Sequence, residues 1–391
     1  MTNYALITFS ALSCFLVPLP FPWHWRAKNV GTLSMMAYLI LSNIDILVNT
    51  SVWAHSFENL APAWCEISIR IRHLTNFALL CCNLCIARRL ESIASTREVR
   101  LTEQGRRRRL LVDLFITVGL PIVHLSLMIV NQGHRFDVLE GRGCWPSYVP
   151  TAVYLVLVLL PWVFVCIASL VYSILAFRWF IVRRRQFAAV LQSTASHLNK
   201  SRYLRMMMFS IVDILFFFPL VMVVFVRQTQ IPGGLAPYKS WGDVHYGFDR
   251  VSLYPAEAIE LRMGSTVVLD LTRWTSPISG IFFFLMFGLG EEAIKTYKRF
   301  FQRIGLMSAK TNPKDTFTVS KLATFNERSR AADCESFDQS EATEKGWASK
   351  SSPESERFGT SDIASVQNMD RTLDEGHGVK ISVTRSVYPS S

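Results

Sequence analysis

The sequence lacks the patterns on which most enzyme chemistry rests. It contains no H-E-x-x-H motif, no nucleotide-binding glycine loop and no cysteine–histidine grouping at metal-ligand spacing. No cofactor and no enzymatic activity are therefore expected. An intramembrane aspartyl protease would need two facing aspartates, and Asp45 and Asp213 fall at different depths in the spans assigned below. Charge is scarce until the last quarter: Asp, Glu, Lys and Arg make up 18% of the 391 residues, against 50% hydrophobic residues. There is no basic module interleaved with aromatics, so the net charge of +11 does not point to nucleic acid as a partner. No internal repeat is detectable, and the final "SVYPSS" carries no prenylation signal.

What is present is apolar residues in runs. A bilayer core about 30 Å thick needs roughly 20 mainly apolar residues per spanning helix, because lipid offers no partner for free backbone N–H and C=O groups. Seven such runs are read, over about 4–20, 33–53, 67–87, 110–130, 152–177, 206–226 and 266–289. The first lacks a basic leader and a small-x-small cleavage site, so it reads as a retained span rather than a signal peptide. Arg70, Arg72, Asp270 and Arg273 interrupt the third and seventh runs. The expected fold is an all-α membrane protein, a seven-transmembrane helix bundle.

Basic residues in short loops set orientation. The loops after runs one, three and five carry Arg26 and Lys28, then Arg88, Arg89 and Arg106 to Arg109, then Arg178 and Arg183 to Arg185. The N-terminus and the loop 54–64 carry none. The bias places the N-terminus outside and the C-terminal tail in the cytoplasm, and the basic runs beside anionic membrane lipids. The segment "QGHRFDVLEGRGCWPSY" (132–148) then faces outward. Of eight cysteines, only Cys65 and Cys144 fall on the oxidising side. Either they form a disulfide that ties the second outer loop over the bundle, or they are two free thiols.

The domain division is a membrane domain over 1–304 and a tail over 305–391. "GEEAIKTYKRFFQRIGL" suggests a short helix on the inner membrane surface, about 290–304. Beyond it the composition turns to Ser, Thr, Asp, Glu and Lys, with 11 basic and 13 acidic residues over 306–391. Such a segment cannot bury enough apolar surface to order itself and is expected to be a disordered, serine-rich cytoplasmic tail. It is a candidate platform for phosphorylation, with kinase or arrestin-like partners, or an inert solvated tail.

Ionisable groups at membrane depth are costly and usually face a protein interior. Glu66, Arg70 and His73 share one helix face and form either the wall of an outward-facing pocket or a Glu66–Arg70 ion pair between helices. Arg72 points elsewhere and is expected to snorkel to the interface. Asp45, near Asn43 and Asn49, reads as a helix–helix polar contact. Asp270 and Arg273 are expected to pair. Asp213 lies six residues before Pro219, which permits a bend. With Arg88 and Arg89 it suggests an ionic latch that breaks on activation, or else a locally hydrogen-bonded aspartate.

Several stretches together resemble the fungal a-factor-type mating-pheromone receptors, seven-helix G-protein-coupled receptors for lipidated peptides. They include "PLPFPWHWRAKNVGTL", "SNIDILVNTSVW", "PAWCEI", "LCIARRLESI" and "QGHRFDVLEGRGCWPS". Further matches are "FAAVLQSTASHLNKSRYLRMM", "SWGDVHYGFDRV" and "RWTSPISGIFFFLMFGLGEEAIKTY", so the resemblance runs from about residue 18 to about 300. Asp45 departs from the family pattern, whereas Asp213 keeps the charge of a position often occupied by glutamate.

The resemblance implies a plasma-membrane, multi-pass receptor for a farnesylated peptide pheromone, acting on the alpha subunit of a heterotrimeric G protein. It does not identify binding residues. The residue pattern nominates Glu66, Arg70, His73, His134, Arg135, Asp137, Trp241, His245, Arg250, Arg273 and Trp274 for an outer ligand site. Asp213, Pro219, Arg88 and Arg89 are nominated for the switch, and Arg183, Arg184, Arg185, Arg202 and Arg205 for the G-protein-facing side. The alternative is a polytopic transporter or channel; those often show internal symmetry or broken helices near mid-membrane, and neither is visible here.

Overall fold

The computed structural model describes residues 4–95, 102–182, 200–230, 234–263, 266–290, 293–294 and 297. Every one of the seven apolar runs is helical. In chain order the helices are α1 (Tyr4–Leu16), α2 (Phe21–Arg26), α3 (Val30–Val52), α4 (Pro62–Ala94), α5 (Glu103–Asn131) and α6 (Ala152–Val182). There follow α7 (Lys200–Thr229), the short α8 (Trp241–Val244) and α9 (Ala256–Met263), and α10 (Val267–Phe287). Four of them, α3, α5, α6 and α7, are long and apolar enough to cross a membrane. α4 and α10 are long but carry charged residues, and α1 is apolar but short.

Two π turns, Phe115–Gly119 and Leu155–Leu159, lie inside α5 and α6 just before Pro121 and Pro161. A proline removes one i→i−4 hydrogen bond and its ring crowds the preceding turn, which a local π turn relieves. The expected surface helix over 290–304 and the tail over 305–391 lie outside the described residues, apart from Gly290 and helical residues 293, 294 and 297.

α4 occupies the centre and packs on α3, α5, α6 and α7, while α1 and α10 close the bundle against α3. The polarity is reversed relative to a water-soluble core. Phe164, Ile174, Leu215 and Ile122 point outward, whereas Ser42, Ser169, Ser173, Ser210, Ser276 and Ser279 are buried. Small polar residues let helices approach closely and bond across the interface, and outward apolar side chains meet lipid at no cost. At one end, Met35, Leu39, Leu90, Phe209, Phe283 and Phe287 form the largest apolar cluster.

The other end is closed by a cap. Strand β1 (Phe136–Leu139) pairs antiparallel with β2 (Gly143–Trp145) and parallel with β3 (Val251–Tyr254), giving the order β2-β1-β3. All four residues of β1 are buried. Phe136, Val138 and Cys144 pack on Trp53, Ile69 and Met128 of the helices. Cys65 and Cys144 are joined by a disulfide, so β2 is bonded to the first turns of α4. The sequence had suggested only a loop here, because the β1–β3 pairing joins segments more than a hundred residues apart.

The turn of this hairpin depends on two glycines with positive φ, Gly141 at 72° and Gly143 at 75°. A Cβ on Gly141 would meet nothing, but one on Gly143 would come within 2.4 Å of Asn49 Oδ1. Gly141→Ala should therefore cost only the left-handed backbone strain, about 1–2 kcal/mol. Gly143→Ala should cost that plus roughly 1–3 kcal/mol of overpacking. Thermal unfolding of the two purified variants against the parent chain checks the order; equal losses would contradict it.

Candidate functional site

The cap rests on a buried polar cluster. Asp45 of α3 accepts hydrogen bonds from Ser68 Oγ, from Asn49 Nδ2 at 2.8 Å and from Arg72 Nη2 at 3.0 Å. The Arg72 guanidinium lies 4.5 Å from the centre of the Trp145 ring of β2. Asn49 Oδ1 in turn accepts from the Cys144 backbone N–H at 2.9 Å. Arg72 does not snorkel. It is 9% exposed, because a carboxylate and an indole face offer a better environment at this depth than a stretch to the interface. Asp45 makes the helix–helix contact expected of it.

A second cluster clamps the tip of the hairpin to α10. Arg142 grips Asp270 with two bonds, Nε at 3.0 Å and Nη2 at 2.8 Å. Arg273 Nη1 also approaches Asp270 at 3.6 Å, and its Nη2 donates to Thr50 Oγ1 at 2.7 Å and to the Gly141 carbonyl at 3.2 Å. Arg273 is thus committed to holding the cap. Sequence reasoning missed Arg142, whose opposite charge to Asp270 was the only signal.

A third cluster lies at the rim. Glu66 accepts from Arg70 Nη1 at 2.7 Å and from Arg135 Nε at 2.8 Å. Burial raises the Glu66 carboxyl, but the bonds and charges of Arg70 and Arg135 outweigh it and hold the group below its ordinary 4.5. His73, one turn further in, parts company with this pair. It is buried, shares a hydrogen bond with the Tyr148 hydroxyl and stacks on His124 at 4.6 Å.

His134 joins the two loops of the cap. Its Nε2 lies 2.6 Å from Asp137 Oδ1 and 3.2 Å from Ser252 Oγ. Its Nδ1 lies 2.9 Å from Ser147 Oγ and 3.3 Å from Arg250 Nη2. A guanidinium only donates, so the Arg250 contact suits an Nδ1 that accepts. His245 stacks on Trp241 at 4.0 Å and contacts the Ile129 carbonyl at 2.9 Å, leaving Trp241 52% exposed. Trp274 stands apart, edge-on to Phe9 of α1 at 5.7 Å.

At the opposite end the expected latch does not form. Asp213 bonds Ser279 Oγ at 3.2 Å, Arg88 pairs with Asp113, and Arg89 donates to the carbonyls of Lys28 and Ala27 at 2.9 and 3.2 Å. Asp213 sits beside Cys82 on α4, nearly two turns short of the arginines, and each arginine finds a nearer acceptor. Arg205 lies against Gly290 in a pocket lined by Trp23, His24 and Phe287. Arg183 to Arg185 and the Arg202 side chain lie outside the described residues.

Comparison with known proteins decides the family. The model of the family STE3, pheromone A receptor, matches residues 5–305. The chain belongs to the pheromone A receptor family. Pheromone receptor 1 of Mycosarcoma maydis is 45% identical over 303 residues, covering 78% of this chain and 85% of the relative. Pheromone receptor 1 of Ustilago hordei is also 45% identical, over 298 residues, covering 76% and 83%. The pheromone a factor receptor of Saccharomyces cerevisiae is 24% identical over 310 residues, covering 77% and 62%. The matched span covers the capped bundle, so the chain is a membrane protein of a receptor family.

In this pheromone A receptor the Asp45–Arg72 pair is testable by a double-mutant cycle. Arg72→Met should destabilise by about 3–5 kcal/mol, because it strands a buried carboxylate. Adding Asp45→Leu should recover most of the loss, read from thermal unfolding; no recovery would mean that Asp45 does not depend on Arg72.

The Glu66 network carries a sign-definite pH dependence. Because its folded value is depressed, its contribution is present above pH 4.5 and is lost as pH falls below that value. The side chain is 26% exposed and solvent screens part of the effect, so a small extra acid-induced drop in unfolding temperature is expected. Glu66→Gln should lack it.

Proposed function

We propose that the chain is a plasma-membrane receptor of seven spans, N-terminus outside, whose ligand is a farnesylated peptide pheromone. In this reading, binding at the capped end drives nucleotide exchange on the alpha subunit of a cytosolic heterotrimeric G protein. The observation that carries it is the pheromone-receptor match, which spans all seven helical runs. Support comes also from charge. Arg26, Lys28, Arg88 and Arg89 cluster at the end opposite the cap, as loops held beside an anionic inner leaflet would.

The exposed face of the cap offers Glu66, Arg70, Arg135, Trp241, His245 and Arg250 to a peptide. His73 and Arg273 act beneath it through the groups they hold. The farnesyl chain takes an apolar path between helices. At the other end, movement of α7 opens a cavity flanked by Arg205, Arg202 and Arg183 to Arg185. Membrane lipids flank the basic loops, and the serine-rich tail over 305–391 serves kinase or arrestin-like partners.

The test is guanine-nucleotide exchange on a co-expressed G protein after addition of synthetic lipopeptides. A cognate farnesylated peptide should stimulate exchange. The same peptide without the lipid should need about a hundredfold more, since burying even four or so methylenes contributes about 3 kcal/mol. Cys144→Ser delivered to the surface should lose the response. Solute flux without exchange would favour the transporter reading instead.

A further inference from the structure

Deep in the bundle, well below the cap, Asp213 is 3% exposed and only one of its carboxylate oxygens is satisfied. Oδ1 accepts from Ser279 Oγ at 3.2 Å, while Oδ2 is buried without a hydrogen-bond partner. Among the described residues no Lys, Arg or His pairs with it; the thiols of Cys82 and Cys166 are its ionisable neighbours.

A second orphan lies on α3. Asn43 is fully buried, and its Nδ2 donates to the Leu39 carbonyl at 2.7 Å and to the Ser276 carbonyl at 3.4 Å. Its Oδ1 has no partner. Ser276 and Ser279 sit one turn apart on α10, on either side of Pro277, which breaks one backbone bond there. Asn43 from α3 and Asp213 from α7 thus bond to neighbouring serines on one turn of α10, and each keeps one buried oxygen without a partner.

A buried charge without a counter-charge is expensive, and an unsatisfied buried group calls for an ion or water. An ionisable residue at membrane depth marks a functional site with a partner. We propose that Asp213, Ser279 and Asn43 enclose a site for a monovalent cation, sodium in particular. The donor set consists of hard oxygens, and its single carboxylate balances one positive charge, whereas divalent cations are usually held by several carboxylates or by phosphates. Bound there, the ion ties α3, α7 and α10 together, so a rearrangement of α7 must release or displace it.

The test is thermal unfolding of the purified full-length receptor in lipid nanodiscs. Sodium chloride is compared with N-methyl-D-glucamine chloride at equal ionic strength and pH. Sodium should raise the midpoint by a few degrees, saturably, and Asp213→Asn should abolish the rise. Ser279→Ala, which keeps the charge, should move half-saturation to at least about tenfold higher sodium, the loss expected from removing about 1.4 kcal/mol of ligation. Equal midpoints in the two salts would overturn the proposal, and so would an undiminished sodium response in Asp213→Asn. Stabilisation by acid with no response to sodium would also overturn it, since a proton would then hold the site. If Asp213→Asn does not fold, unchanged half-saturation in Ser279→Ala decides against the site.

Discussion

The rest of the architecture hangs on the buried contact between Asp45 and Arg72. At that depth neither charge can be left alone, so the pair fixes where α3 meets α4. The same two residues then reach outward. Asn49, bonded to Asp45, receives the Cys144 amide, and Arg72 supports the Trp145 ring. The position of the cap is therefore set from below by a polar cluster, and the Cys65–Cys144 bridge holds the strand that the cluster has placed.

The remaining ionic contacts act as straps around this hub. Arg142 and Arg273 bind the hairpin tip to α10, Arg135 binds the entry of β1 to α4, and His134 joins the second and third loops of the cap. Each strap links segments far apart in sequence, so a change at one edge of the cap bears directly on three helices. Such an element is well placed to couple an event at the rim to the packing of α3, α4 and α10, because packed interfaces shift between discrete arrangements rather than deform smoothly. Deeper in the bundle, helix contacts rest on serines and asparagines such as Ser210 with Asn83 and Ser42 with Ser276, short bonds that a small helix displacement breaks.

The helices were legible in the sequence because twenty-residue apolar runs have few alternatives. Their ends were less so: α4 extends well beyond its apolar centre at both ends, since charged residues there find tertiary partners, Glu66 in Arg135 and Arg89 in the Lys28 carbonyl. The polar clusters were half legible. Asp45 and Asp270 announced themselves as ionisable groups in apolar runs, and Glu66 with Arg70 by helical spacing. The partners of Arg72 and Arg142 did not, because the partner of a long side chain depends on rotation about the helix axis and on loop placement, which spacing along one segment does not encode. The latch between Asp213 and the Arg88–Arg89 pair failed for the same reason, as depth along α4 and the competing Asp113 were invisible. The parallel β1–β3 pairing joins two loops with no local signature at all.

The central claim is that the outer hairpin is an integral part of the bundle, seated by the Asp45–Arg72 cluster. Hydrogen–deuterium exchange of residues 136–145 in the parent receptor and in Asp45→Asn tests it most directly. The account predicts that in the parent these amides exchange as slowly as those of central α4, and that Asp45→Asn releases them while α6 stays protected. Rapid exchange of the hairpin in the parent, or protection unchanged by the substitution, would contradict it.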